Sequence, residues 1–236
     1  MALGTLFLLP TTLGESAIAS VVPQDVLVRI RGLEYFVAEN PKTARAYLKK
    51  VGTSKPLQAL HISTLDEHTP DAAIAQLAEP LLAGRDLGLM SEAGCPAVAD
   101  PGAKLVLHAQ RMGIRVVPLV GPSSLLLGLM ASGLNGQRFA FHGYLPVAEA
   151  ERRKALRDLE QQSRRLQQTQ IFIETPYRNG KLLQAVLDSC APSTLLCIAT
   201  DITLAQEDIR TMSIAQWKKH PPMLDRRPSL FLLLAN

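Results

Sequence analysis

The chain has 236 residues, 47% hydrophobic and 19% charged, enough apolar material for one large domain or two compact ones and too much for a disordered chain. Lys and Arg outnumber Asp and Glu by 25 to 21, a net charge of +4 that permits an anionic partner without demanding one. Three cysteines, Cys95, Cys190 and Cys197, are too few and too irregularly spaced for a disulfide framework or a zinc site, and no apolar run reaches the roughly 20 residues that span a bilayer.

The opening "MALGTLFLLPTTLGESAIAS" imitates a signal peptide, but it lacks a basic start and is interrupted by Gly4, Pro10 and Gly14. It reads as a buried first strand, and the expected location is cytoplasmic. Short apolar runs then alternate with amphipathic segments. "TLFLL", "EYFVA", "LQALHIS", "LGLM" and "RVVPLV" are predicted strands, with "PKTARAYLKKVG" and "PDAAIAQLAEPLLAG" as helices between them. Such alternation predicts a mainly parallel sheet covered on both faces. Pro41 and Asp71 stand at first-turn positions, and Gly52, Gly84 and Gly113 at C-caps.

A second unit restarts the strand pattern at "RFAFHGYL", after the break at residues 133–136. "ALRDLEQQSRRLQQ" and "KLLQAVLDSC" read as helices; "QIFIE", "TLLCIATDI", "EDIRTMS" and "LFLLLA" read as strands. The boundary falls between Pro118 and Gly136, giving α/β domains over residues 1–120 and 121–236.

The stretch "SEAGCPAVADPG", residues 91–102, leaves the strand "LGLM" through small residues, two prolines and two acids. In open parallel sheets ligands bind beyond the carboxyl ends of strands, where small residues let them approach the backbone. Gly94 and Gly102 permit unusual backbone angles, and Ser91, Glu92 and Asp100 offer polar contacts. The competing reading is a long structural turn with Asp100 capping the next helix. Two further turns, "VGPSS" with Ser123 and Ser124 and "IETPYR" after the later strand, share this chemistry, and the three together suggest one cleft between two domains. No G-x-G-x-x-G and no Walker lysine loop is present.

The blocks "GTLFLLPTTLG", "SEAGCPAVADPGAKLVLHAQRMGIRVVPLVGPSSLLLGLMASGL", "FHGYLP", "ERRKALRDLE" and "IETPYRN", in that order and spacing, resemble the small-subunit ribosomal RNA 2′-O-methyltransferases of the tetrapyrrole-methylase superfamily. The resemblance implies two α/β domains with S-adenosylmethionine in the cleft between them, a homodimer, and a role in rRNA processing. It places cofactor contacts at Pro10, at Glu92, Ala93, Gly94, Cys95, Ala97 and Val98, at Ser123 and Ser124, at Glu174 and Thr175, and at Ala199 and Thr200. The implied partner is ribosomal RNA or the small ribosomal subunit, with no membrane and no metal.

The chain departs from the family pattern mainly on the substrate side. "AENPK" at residues 38–42 lacks the family's second acid and its arginine, "STLDEHTP" keeps only Glu67 and His68 of a histidine- and asparagine-bearing loop, and "ATDITL" and "RRPS" replace later blocks. Glu39, Lys42 and His68 are the polar candidates for base or orienting group, with Glu39 as helix cap the competing reading; the sequence does not rank them, and the catalytic residue is left open. Arg153 and Arg157, one helical turn apart, offer phosphate contacts or simply a solvated face, and Trp217 reads as packing. A methyltransferase of the same fold acting on a small molecule such as a tetrapyrrole precursor, and a non-catalytic cofactor-binding module, remain as alternatives.

Overall fold

The computed structural model describes residues 2–235 and divides the chain after Ser123 into two units, each built on its own five-stranded sheet. In chain order the first unit runs β1 (Thr5–Leu9), α1 (Ile18–Val21), α2 (Gln24–Arg31), β2 (Tyr35–Ala38), α3 (Pro41–Val51), β3 (His61–Thr64), α4 (Asp71–Leu77), α5 (Glu79–Leu82), β4 (Leu87–Met90), α6 (Ala103–Arg111) and β5 (Arg115–Pro118). Its sheet order is β3-β2-β4-β1-β5, and every pairing is parallel, with Leu9 opposite Met90 and Ala38 opposite both Met90 and Thr64. All five strands therefore deliver their carboxyl ends to one edge.

Helices cover both faces. Leu9, Ile30, Phe36 and Leu48 pack one side against α2 and α3, and Leu6, Leu81, Leu89 and Leu105 pack the other against α5 and α6. Burial on both faces is why "LGLM" is an unbroken apolar run rather than an alternating one.

Two predicted elements change. The segment expected as one strand at residues 57–63 starts as a 3-10 turn, Leu57–Ala59, because Pro56 sets the entry angle, and only His61 begins β3. The helix expected over residues 70–84 breaks at Ala78, which ends α4 and starts α5; Pro80 has no N–H with which to continue the ladder. α2 follows Pro23 without a side-chain cap, so its start carries no sequence signal. α3 has both signals: Asn40, not Glu39, accepts from the Lys42 N–H, and Gly52 closes it at φ 79°.

The second unit runs α7 (Ser124–Ser132), β6 (Phe139–Tyr144), α8 (Glu149–Leu166), β7 (Thr169–Ile173), α9 (Asn179–Ser189), β8 (Leu195–Thr200), β9 (Asp208–Ser213), α10 (Ile214–Lys219) and β10 (Ser229–Leu234). The order is β6-β7-β10-β8-β9, parallel between β6 and β7 and antiparallel elsewhere. Leu156, Phe172, Val186, Leu196, Trp217 and Phe231 share its core. Trp217 is fully buried and donates its indole N–H to Leu196 O at 2.8 Å, which fixes it as a packing residue. Among the described residues no helix is long and apolar enough to cross a membrane.

Candidate functional site

After β4 ends at Met90 the chain does not resume a helix until Ala103. Gly94, Ala97, Ala99 and Gly102 along the way all take positive φ, at 76°, 64°, 61° and 134°. Non-glycine residues rarely do so, and each instance costs on the order of 1 kcal/mol that surrounding contacts must offset. The start of the loop is held by its neighbours. The Thr11 N–H donates to Gly94 O at 2.9 Å, and the Cys95 thiol donates to Pro122 O at 3.5 Å. A Cβ on Gly121 would stand 2.1 Å from Pro10 Cβ, so the first and third turns touch only because residue 121 is glycine. From α3, Tyr47 OH donates to Pro10 O at 2.9 Å.

Pro10, the loop of residues 91–102 and the turn of residues 121–123 thus form one constellation at the carboxyl edge of the first sheet. Its backbone is anchored on the protein side by Pro10 and Gly94, which are buried, while Glu92, Ala93, Val98 and Ala99 are exposed. What faces outward is backbone, small apolar side chains and one carboxylate. Asp100 is not a helix cap, since the N-cap of α6 is Gly102, with no side-chain cap bond.

The same edge gathers acids. Burial pushes the Asp100 carboxyl up to about 6; the charges of Glu39 and Glu92 add to this and a hydrogen bond from Ser91 opposes it. Burial also raises Glu39, followed by the charges of Glu92, Glu67 and Asp66. The Thr43 hydroxyl donates to Glu92 from the first turn of α3. Asp100 lines a cavity of about 360 Å³ together with Leu65, Asp66, Glu67, Thr69 and Lys104, and the ammonium of Lys104 is held by Asp71 at 2.5 Å. A larger cavity of about 540 Å³, walled by Asp25, Arg29, Tyr35 and Arg85, opens at the opposite edge, where β2 and β4 begin, away from the constellation.

Of the candidate bases, Glu39 belongs to this acidic group. Lys42 and His68 are exposed, His68 lying 3.5 Å from Glu67. In the second unit, Ser124 opens α7. The carboxylate of Glu174 is buried and accepts from the Thr175 N–H at 2.7 Å and from Arg178 at 2.6 Å. Ala199 and Thr200 are buried in β8, paired on one side with β10 and on the other with β9, and the Thr200 hydroxyl donates to Asp208 O at 3.2 Å. Arg153 is occupied by Glu149 and Asp188 at 3.0 and 3.1 Å, whereas Arg157 is exposed.

Thr43 and Tyr47 were not singled out from the sequence. Their i, i+4 spacing on α3 was the available signal, since it sets both on one helix face.

A family-level sequence model, Tetrapyrrole (Corrin/Porphyrin) Methylases, matches residues 25–217. The protein of Pseudomonas aeruginosa called "Ribosomal RNA small subunit methyltransferase I" is 32% identical over 216 residues, 92% of this chain and 72% of that one. Its Escherichia coli O157:H7 namesake is 30% identical over 213 residues, 90% of this chain and 70% of that one. Among solved structures, the methyltransferase CobJ superposes with a TM-score of 0.64 at 17% identity over 100% of this chain and 95% of its own. Diphthine synthase superposes with a TM-score of 0.64 at 14% identity over 98% and 90%.

Proposed function

The chain belongs to the tetrapyrrole (corrin/porphyrin) methylases, S-adenosylmethionine-dependent methyltransferases, and from that membership we propose that it methylates a ribose 2′-hydroxyl of small-subunit (16S) ribosomal RNA, in the cytoplasm and as a homodimer. The ribosomal substrate is favoured over a tetrapyrrole because relatives named for the former share 30–32% of the sequence, whereas CobJ shares the fold at 17% identity. Leu126 and Met130, 55% and 78% exposed one turn apart on α7, support a second copy as partner.

The constellation in the first unit fits this cofactor. Its outward face of backbone and small side chains admits a flat nucleoside, and the acids around Glu39, Glu92 and Asp100 complement a positive charge. When bound, S-adenosylmethionine supplies an electrophilic methyl on a sulfonium, already activated for transfer.

What remains for the protein is alignment, exclusion of water and removal of the hydroxyl proton. Backbone at Pro10 and at residues 92–98, with Ser123, holds the cofactor. Ser124, Glu174 and Thr175 are proposed contacts on the family resemblance alone, with Ala199 and Thr200 in a supporting role because they are buried. Asp100 accepts the 2′-hydroxyl proton on a carboxylate oxygen: a group held near 6 is ionised at neutral pH yet basic enough to take a proton. Glu39 is a positioning residue whose charge helps to keep Asp100 there.

The observation that carries the reading is the left-handed loop around Gly94, Ala97 and Ala99, pinned to Thr11 and Pro122. Calorimetric titration with S-adenosylmethionine and S-adenosylhomocysteine tests the seat, and transfer of labelled methyl groups to purified small ribosomal subunits, with the modified nucleotide mapped, tests the substrate. Saturable binding and one labelled ribose are expected. Binding without label in any ribosomal RNA would overturn the substrate, and no binding in a folded sample would overturn the seat.

A further inference from the structure

The carboxyl end of β6 is built irregularly. Its pairing with β7 shifts between Phe141 and Tyr144, and Gly143 between them has φ 63°. Such a bulge re-aims the side chain that follows it. Here it sets Tyr144 opposite Ile173, the last residue of β7, with Tyr144 57% exposed.

The turn after β7 brings a second aromatic to the same end of the sheet. Tyr177 is 69% exposed, and the Arg178 guanidinium lies 5.4 Å from its ring centroid. One edge of that guanidinium is fixed by the buried Glu174 carboxylate at 2.6 Å, while the Arg178 side chain stays 28% exposed. Glu174 does most to favour the charged form of Arg178, and Tyr177 and Tyr144 lie near enough to add to it in their ionised forms.

Two exposed rings beside a fixed, partly exposed planar cation are the elements with which proteins hold unpaired nucleotides: bases stack on aromatic faces, and guanidinium meets phosphate or a base edge. We propose that Tyr144, Tyr177 and Arg178 form a subsite for single-stranded RNA, in which an unpaired base stacks on Tyr177, a neighbouring base on Tyr144, and Arg178 faces the intervening backbone. The subsite rests on the RNA reading above and deepens it, because stacking requires the target region to be unpaired.

The test uses the full chain and a short fluorescently labelled single-stranded RNA read by anisotropy, with Tyr177→Ala, Tyr177→Phe and Tyr144→Ala. Tyr177→Ala should weaken binding roughly 5- to 150-fold, the loss of one base–aromatic stack. Tyr177→Phe should stay close to the parent, because the ring and not the hydroxyl carries the stack. S-adenosylhomocysteine affinity should be unchanged in all three, and a fully paired RNA of the same sequence should show no dependence on Tyr177. If the parent methylates small subunits while both alanine variants bind RNA and turn over as it does, the subsite is refuted and the RNA reading stands. If the parent neither binds single-stranded RNA nor methylates subunits, the RNA reading falls and takes the subsite with it.

Discussion

Replacing Asp100 with Asn separates the cost of its charge from its use. The folded chain holds this carboxyl at about 6 against an ordinary 3.8, a shift of about two units. At about 1.4 kcal/mol per unit the ceiling is about 3 kcal/mol, and partial exposure and salt screening reduce it to about 1.5 kcal/mol. Because the folded value is the raised one, the protonated carboxyl's contribution is complete below 3.8 and is lost as pH rises through 6. Above that, the parent carries an ionised, half-buried group beside Glu39 and Glu92. Asn has nearly the same shape and no charge. In urea denaturation without cofactor, Asp100→Asn should therefore be more stable than the parent by about 1.5 kcal/mol at pH 8, with the gain gone near pH 4. In methyl transfer the same variant should lose a factor of roughly 10² to 10⁴, and the parent's kcat/KM should climb with pH through about 6. Stability gained where activity is lost marks a functional charge. A variant less stable at pH 8, or equally stabilised at both pH values, refutes the electrostatic account; retained activity refutes Asp100 as the base.

Gly121→Ala places a methyl 2.1 Å from Pro10 Cβ, which must drive the first and third turns apart; calorimetry should find S-adenosylhomocysteine binding at least tenfold weaker in a sample whose circular dichroism is native. Tyr47→Phe removes the bond to Pro10 O and should cost roughly 1 kcal/mol in denaturant unfolding, with a weaker cofactor titration. Arg157→Glu should reduce RNA affinity and flatten its salt dependence by about one to two charges. Arg153→Glu should instead show mainly a stability loss, since it opposes Glu149 and Asp188.

The first sheet was legible because its strands are short apolar runs separated by helix-length segments, and a parallel sheet has few ways to connect such a series. The second was legible only as a set of strands. Nothing local in "LFLLLA" says that the last strand inserts between β7 and β8, a pairing that joins Phe231 to Phe172 and Ile198. At the site, the glycines and alanines of residues 91–102 announced close backbone approach, but not what pins them: Thr11 and Pro122 are distant in sequence. Asp100 was visible as a polar residue, whereas its raised pKa depends first on burial and then on the charge of Glu39, which arrives from the end of β2. Arg153 looked available for RNA because its partner Asp188 lies on α9, 35 residues away.

The pinned loop has a kinetic consequence. Gly94 is tied to Thr11 and Cys95 to Pro122, so the start of the loop is held by the protein's own contacts rather than by a ligand, and little ordering entropy should be lost there on binding. Association with the first unit should then run as a single exponential whose rate rises linearly with ligand concentration, and variants that loosen the loop should express their weaker affinity chiefly as faster release.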